Sequence, residues 1–272
     1  MQQTFPLAHP QSLKLEISSR FPNRLQIQWL SLPLGLFLFL AGWQGFVVYF
    51  GYEAFILPSP TVVAQRFGLL AESGLLWPHV FTTLQQALGG FGVALVVSLV
   101  LGYILAHLPW LERALAPILA GGQAVPILAV APLIMLWFGT EISAKILVAA
   151  LVTFFPMLIS TIIALRTIPR ELREMAAISG ANQWQILFQV EFPLALPVLL
   201  GGVRTSLSLA TTGAVVGEFV AGRVGLGALI NIARGLFDTP LIFVALIMLA
   251  AITLLLYLCS CLLEKLLIRW EW

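Results

Sequence analysis

Six apolar stretches, each more than 20 residues long, constrain the fold of this chain more than any other feature. They cover residues 29–50, 79–106, 115–138, 143–165, 196–217 and 240–264. About 20 apolar residues in a helix cross the roughly 30 Å hydrocarbon core of a bilayer. The chain is also 60% hydrophobic and only 10% charged, outside the range of soluble globular proteins. We therefore predict an all-α polytopic membrane protein with about six transmembrane helices.

The basic residues between these stretches predict the orientation. If the N-terminus is cytoplasmic, the cytoplasmic segments contain Lys14, Arg20, Arg24, Arg113, Arg166, Arg170, Arg173, Lys265 and Arg269. The outer segments then contain Arg66, Lys145, Arg223 and Arg234. This excess follows the positive-inside rule. It predicts a cytoplasmic N-terminal segment 1–28, a membrane domain 29–265 with a cytoplasmic loop 166–195, and a cytoplasmic tail 266–272.

The loop 166–195 is expected to form two short helices. Helix formers dominate residues 171–178, and Gly180 is a typical C-terminal stop. Asn182 can cap a second helix, residues 183–190, which Pro193 is expected to end. Apolar side chains recur at three- and four-residue steps in the first helix at Leu172, Met175 and Ala176. Such a compact projection at a membrane surface predicts a partner.

The fifth apolar stretch carries a line of small residues. Gly202, Ser206, Ala210 and Ala214 recur every fourth residue, and Gly213 and Gly217 form a second pair. Small residues allow close helix packing, but they also leave room for a passage. Hydroxyls that could line such a passage, or bond their own helix, are Ser208, Thr211 and Thr212.

Three further polar groups lie within or at the ends of the apolar stretches. Glu218, at the outer end of the fifth, is either solvated or turned toward a polar cavity. Arg204 lies nearer the cytoplasmic end, where it can anchor the helix by snorkelling or pair with an acid of the loop. Gln123 lies beside Gly121, Gly122 and Pro126, which predict a kinked helix next to the passage.

The sequence offers no candidate catalytic residue and no metal site. The three histidines are scattered, and the HExxH, GxSxG, CxxC and GxxxxGK[ST] patterns are absent. We therefore expect no enzyme activity and no bound cofactor in this chain. An ion-coupled secondary transporter is an alternative class, but it predicts deep ionisable residues in several spans and an inverted repeat, and neither is seen.

The cytoplasmic loop resembles the signature of the permease subunits of ATP-binding-cassette importers. That signature reads Glu-Ala-Ala, three residues, Gly, nine residues, Ile, any residue, Leu-Pro. Here Glu174, Met175, Ala176 and Gly180 are followed by Val190, Glu191, Phe192 and Pro193 at the same spacing. Met175, Val190 and Phe192 depart from the pattern but stay apolar. Segments 56–60, 124–139, 215–219 and 225–230 resemble the nitrate, sulfonate, taurine and thiamine-precursor branch.

This resemblance implies a type I importer in the bacterial plasma (inner) membrane. It would contain two copies of this permease, two cytoplasmic ATPase subunits that bind ATP and Mg²⁺, and an external solute-binding protein. No nucleic-acid partner is expected. By carry-over, the coupling surface for the ATPase would include Glu171, Leu172, Glu174, Met175, Ala176, Ala177, Gly180 and Pro193.

The resemblance says less about the solute. The segment 121–133, GGQAVPILAVAPL, looks closer to permeases for pyrimidine-type thiamine precursors or riboflavin than to those for sulfonate or nitrate. Few charges occur along the expected path, which suits a neutral polar ring or a small anion held only briefly. The path residues would be Gln123, Ser208, Thr211, Thr212 and Glu218.

Overall fold

A computed structural model describes residues 24–268 of the chain, with side chains from residue 33 onward. Most of the predicted segment 1–28 and residues 269–272 of the tail lie outside the described residues. The helices are α1 Arg24–Phe50, α2 Pro60–Glu72, α3 Leu76–His107, α4 Pro109–Ala124, α5 Ile127–Phe138, α6 Ile142–Arg166, α7 Arg170–Ile178, α8 Gln183–Gln185, α9 Phe192–Ala221, α10 Leu226–Gly235 and α11 Thr239–Leu267. A π-helical turn, Ile186–Glu191, joins α8 to α9.

Five helical segments in the described range are long and apolar enough to cross a membrane. They are Pro33–Phe50, Leu76–His107, Ile142–Arg166, Gln183–Ala221 and Thr239–Leu267. A sixth crossing results if the bent pair α4 and α5 counts as one span. The all-α fold with about six spans is therefore confirmed.

The third predicted span, residues 115–138, is broken rather than kinked. Helices α4 and α5 meet at an angle of 93°. Pro126 restricts the residue before it to extended backbone, and Val125 has φ −73° and ψ 122°. Because two residues of extended backbone, Val125 and Pro126, interrupt the hydrogen-bond ladder, the chain turns sharply instead of bending gently.

Helix α6 lies at the centre of the bundle, packed mainly against α3 and α9. A Cβ at Gly202 would lie 2.4 Å from Cβ of Ser160, and one at Gly213 would lie 2.6 Å from Cα of Ala149. From the other side, a Cβ at Gly90 would lie 2.4 Å from Cβ of Ala149. The small-residue line of α9 therefore serves close packing against α6.

Pro193 does not end the second loop helix, contrary to the prediction. It is the second residue of α9, directly after the π-helical turn, and the N–H of Phe192 before it still bonds to the carbonyl of Leu187. The chain thus runs from α8 through the π-helical turn into α9 without a stop.

Arg204 does not pair with an acid of the loop, which was one of its two expected roles. It pairs instead with Glu264 of α11 and lies over the ring of Tyr257.

Neighbouring glycines of α9 provide a test of this packing. Gly202→Val should lower the free energy of unfolding by about 1–3 kcal/mol more than Gly201→Val, because only position 202 faces α6 and overpacking strains a filled interface. Nothing lies within 4 Å of a Cβ built at Gly201. Valine has the same helix propensity at both positions, so the difference in chemical or thermal unfolding of the purified chain reports packing alone. Equal effects of the two substitutions would contradict the assigned interface.

Candidate functional site

The short helix α7 has a well-defined end. Gly180 has a φ of +85°, a conformation that glycine adopts without strain. The N–H of Gly180 donates to the carbonyl of Ala177 at 3.0 Å, and the N–H of Ala181 donates to the carbonyl of Ala176 at 3.0 Å. These two bonds form a Schellman motif, so the predicted stop at Gly180 is confirmed.

The next helix starts with a reciprocal cap. The N–H of Gln185 donates to Oδ1 of Asn182 at 2.9 Å, and the N–H of Asn182 donates to Oε1 of Gln185 at 2.8 Å. This capping box satisfies two backbone donors at once. The predicted cap at Asn182 is confirmed, and only three residues separate it from the end of α7 at Ile178.

Helix α7 carries an apolar edge that the described residues leave uncovered. Leu172, Met175 and Ile178 follow at three-residue steps, and Met175 and Ile178 are 64% and 87% exposed. No residue of α7 is buried. Of the eight residues predicted to couple to the ATPase, those exposed are Glu171, Leu172, Glu174, Met175, Ala177 and Gly180, and those half-buried are Ala176 and Pro193.

A buried carboxylate ties this helix to the membrane bundle. Oε1 of Glu191 lies 2.7 Å from Nε of Arg173 on α7 and 3.0 Å from Nε2 of His107 at the end of α3. Arg173 also donates from Nη2 to the carbonyl of Leu165 on α6 at 2.6 Å. Glu191 is fully buried at the start of α9. One carboxylate therefore links elements that belong to α3, α7 and α9, and its partner arginine adds α6.

Sequence reasoning gave Glu191 no role. It occupies the variable position of the signature, and its partners are 18 and 84 residues away. An acid placed between the apolar residues Val190 and Phe192 is the only sign in the sequence that it needs a buried partner.

The structure separates the five predicted path residues. Gln123 is exposed and lines two cavities, of about 500 and 420 Å³, beside α4, α5 and α6. The hydroxyl of Thr211 donates to the carbonyl of Ser208 at 2.9 Å and lies 2.8 Å from Oγ1 of Thr253 on α11. Thr212 is exposed. Apart from Gln123, none of the five lines either of these two cavities.

Glu218 is not solvated, because its side chain is fully buried. Thr83 Oγ1 of α3 donates to Glu218 Oε1 at 2.7 Å, and the N–H of Gly227 donates to Oε2 at 2.7 Å. Thr83 in turn accepts from the N–H of Leu226 at 2.8 Å. Leu226 and Gly227 form the first turn of α10, so the carboxylate caps that helix where the dipole favours negative charge. A Cβ at Gly225 would lie 2.2 Å from the carboxylate, which leaves no room for a side chain there.

Comparison with known proteins identifies the family. Residues 98–271 match the profile of the binding-protein-dependent transport system inner membrane component family. The chain belongs to this family. Together with the importer-type fold, family membership makes it a permease subunit of an ATP-binding-cassette importer. The alternative class, an ion-coupled secondary transporter, is not favoured.

Two relatives and one solved structure are similar to this permease. It is 63% identical over its whole length to the riboflavin transport system permease protein RibX of Chloroflexus aurantiacus, covering 99% of that protein. It is 33% identical, over 80% of its length and 87% of the relative, to the formylaminopyrimidine transport permease protein ThiX of Halalkalibacterium halodurans. A chain of the inward-facing MetNI methionine ABC transporter matches with a TM-score of 0.63 and 21% identity, covering 72% of this chain and 97% of that one.

Loss of the Glu191 carboxylate should destabilise the permease. Glu191→Leu leaves Arg173 beside an apolar side chain, and breaking a buried pair costs about 3–5 kcal/mol, less here because Arg173 keeps some access to water. We expect a loss of about 2–4 kcal/mol in the free energy of unfolding. Glu174→Leu removes an exposed carboxylate nearby and should change it by less than about 0.5 kcal/mol. Indistinguishable unfolding curves for the two variants would refute the junction.

Glu218 offers a second stability test at the other end of α9. Glu218→Ala leaves the N–H of Gly227 without its acceptor, at about 1–3 kcal/mol for the unsatisfied group, whereas the hydroxyl of Thr83 can still donate to the carbonyl of His79 at 3.1 Å. Glu218→Gln keeps an acceptor of the same size and should be milder. Thermal unfolding in nanodiscs checks the order, and an alanine variant as stable as the glutamine variant would argue against capping.

Proposed function

We propose that this permease takes riboflavin or a closely related heterocycle from an external binding protein, and that α7 docks in a groove of a cytoplasmic ATPase. The docking proposal rests on one observation. The helix α7 has an exposed apolar edge, and it is held in place by the Schellman motif at Gly180 and by the contact of Arg173 with Glu191. Leu172, Met175 and Ile178 are 38%, 64% and 87% exposed among the described residues. Apolar side chains in such an edge, with exposed Glu171 and Glu174 beside it, suit an interface core with a charged rim.

The junction at Glu191 supports the transmission of motion. A motor can drive a membrane protein only through an element that moves as a rigid body with the helices it controls. Arg173 connects α7 to Glu191 at the start of α9 and to the end of α6. Movement of α7 would therefore be passed to both central helices of the bundle. ATP and Mg²⁺ would be bound by the ATPase, and this chain would have no catalytic role.

A second copy of the chain is proposed to complete the passage. Helix α5 exposes Leu128, Leu133 and Leu136 next to the cavity that Gln123 lines. A homodimer would cover this flank and place the Gln123 cavities at the interface between copies. With the loop cytoplasmic, both termini would also be cytoplasmic, in a bacterial plasma membrane.

The solute assignment rests on two supports. The relative with 63% identity is named as a riboflavin transport permease, and a second relative is named as a formylaminopyrimidine transport permease. The lining of the cavity of about 500 Å³ contains no charged side chain and one amide, that of Gln123. A wall of this kind suits passage of a neutral polar ring, since weak contacts allow release.

Docking is tested by an acid placed on the apolar edge. Met175→Asp should reduce the ATPase that co-purifies with the permease by about tenfold or more, because loss of an apolar anchor of about 1.4 kcal/mol or more has that effect. Leu236→Asp is the matched control, since Leu236 is 69% exposed and follows α10, far along the chain from α7. Undiminished co-purification of the Met175→Asp variant would refute docking through α7.

The transport proposal is tested in proteoliposomes that contain permease, ATPase and binding protein. We expect riboflavin uptake that requires ATP and all three proteins. Uptake against a gradient by the permease alone, or no flavin uptake by the complete system, would overturn it.

A further inference from the structure

A polar cavity lies at the end of the bundle opposite α7. It has a volume of about 390 Å³ and is formed by the first turns of α3, the start of α6 and the segment that follows α9. We call it the distal cavity. Its polar lining consists of Thr82, Gln86, Thr140, Glu141, Lys145 and Arg223. Its volume falls within the range of small-molecule sites, about 300–1,000 Å³.

Gln86 is the unusual member of this lining. Its side chain is fully buried, and neither the amide nitrogen nor the amide oxygen has a hydrogen-bond partner among the described residues. Each unsatisfied buried group costs about 1–3 kcal/mol. Because this cost is removed by a hydrogen bond, Gln86 is suited to bind a group from outside the chain. Either orientation of the amide presents one donor and one acceptor.

Neither of the two cations of the distal cavity forms an ion pair with a residue in the described part of the chain. The five ion pairs formed among residues 33–268 include neither Lys145 nor Arg223. Lys145 is only 8% exposed, and its stem packs on Gly217, where a Cβ would lie 3.2 Å from Cα of Lys145. Glu141, one helical turn earlier, is the single carboxylate in the lining. The distal cavity therefore offers an amide, two hydroxyls and a net positive charge.

We propose that the distal cavity is a binding site within the permease for a planar heterocycle with an imide or amide edge. Such an edge has an N–H beside carbonyl oxygens. No hydrogen bond to a described residue holds the Gln86 amide in its buried position, so a rotation of the side chain would present the amide to the distal cavity. The ligand N–H would then donate to Gln86 Oε1, one carbonyl would accept from Gln86 Nε2, and another would face Lys145 or Arg223. A sulfonate or nitrate has only acceptors and would leave Gln86 Oε1 unsatisfied. The choice of a flavin as the ligand rests on the proposed function, and the flavin ring has such an edge.

The experiment measures riboflavin binding to the permease–ATPase complex in nanodiscs, without binding protein, by quenching of flavin fluorescence. Gln86→Leu should weaken binding by about tenfold or more, because the apolar side chain offers no partner to the imide. Gln189→Leu, an exposed glutamine of the cytoplasmic loop, is the matched control and should leave the affinity unchanged. The Gln86→Leu variant should be at least as stable as the wild type, since it removes two unsatisfied groups.

A modified ligand tests the same contact without any substitution. 3-Methylriboflavin, which lacks the imide N–H, should bind the wild type about tenfold more weakly than riboflavin, and should show no such difference on the Gln86→Leu variant. Excess methanesulfonate should not displace riboflavin. Unchanged affinity of the Gln86→Leu variant, equal binding of both flavins to the wild type, displacement by methanesulfonate, or no binding would each overturn the site.

The uptake assay separates this site from the proposed function. ATP-dependent riboflavin uptake by a complex that shows no Gln86-dependent binding would refute the site and leave the function standing. Gln86-dependent binding by a complex that takes up no riboflavin would refute the solute assignment and leave the site standing.

Discussion

The structure depends on the close approach of α6 to α3 and α9. Inside a bilayer, lipid tails are as apolar as leucine side chains, so helices associate through packing and polar contacts rather than through hydrophobic burial. Gly202 and Gly213 on α9, and Gly90 on α3, bring their backbones within van der Waals distance of Ser160 and Ala149 on α6. These contacts place α6 at the centre of the bundle. The start of α6 lines the distal cavity, and its end leads into the loop that contains α7.

Helix α9 is held at both ends by a buried carboxylate. Glu191 joins it to α7 and α3 at one end, and Glu218 joins it to α3 and α10 at the other. With 27 residue-to-residue steps from Glu191 to Glu218 at 1.5 Å per step, the two residues lie about 40 Å apart along the helix. A rod anchored in this way connects the proposed ATPase contact with the wall of the distal cavity. Such an arrangement gives a physical route by which a push at α7 can reach the far side of the membrane.

Local sequence signals predicted the spans and the caps because both depend on short-range chemistry. Apolar length predicts a crossing, Gly180 permits the left-handed turn, and Asn182 accepts from the N–H of Gln185. The failures have a common cause. Pro126 and Pro193 carry the same backbone restriction, yet Pro126 breaks a span and Pro193 lies inside a continuous helical segment. Packing against the surrounding helices decides which of these two geometries forms.

The sequence by itself determined the membrane architecture, the position of the loop 166–195 along the chain and the family resemblance, since length, periodicity and motif spacing are properties of neighbouring residues. Only the tertiary structure decided what the buried polar groups do. Glu191 contacts His107, Glu218 accepts from Thr83, and the Gln86 amide has no hydrogen-bond partner among the residues that the structure describes. Such outcomes require residues 84 to 135 positions apart to meet in a place without water, and the strength of a polar contact depends on that burial.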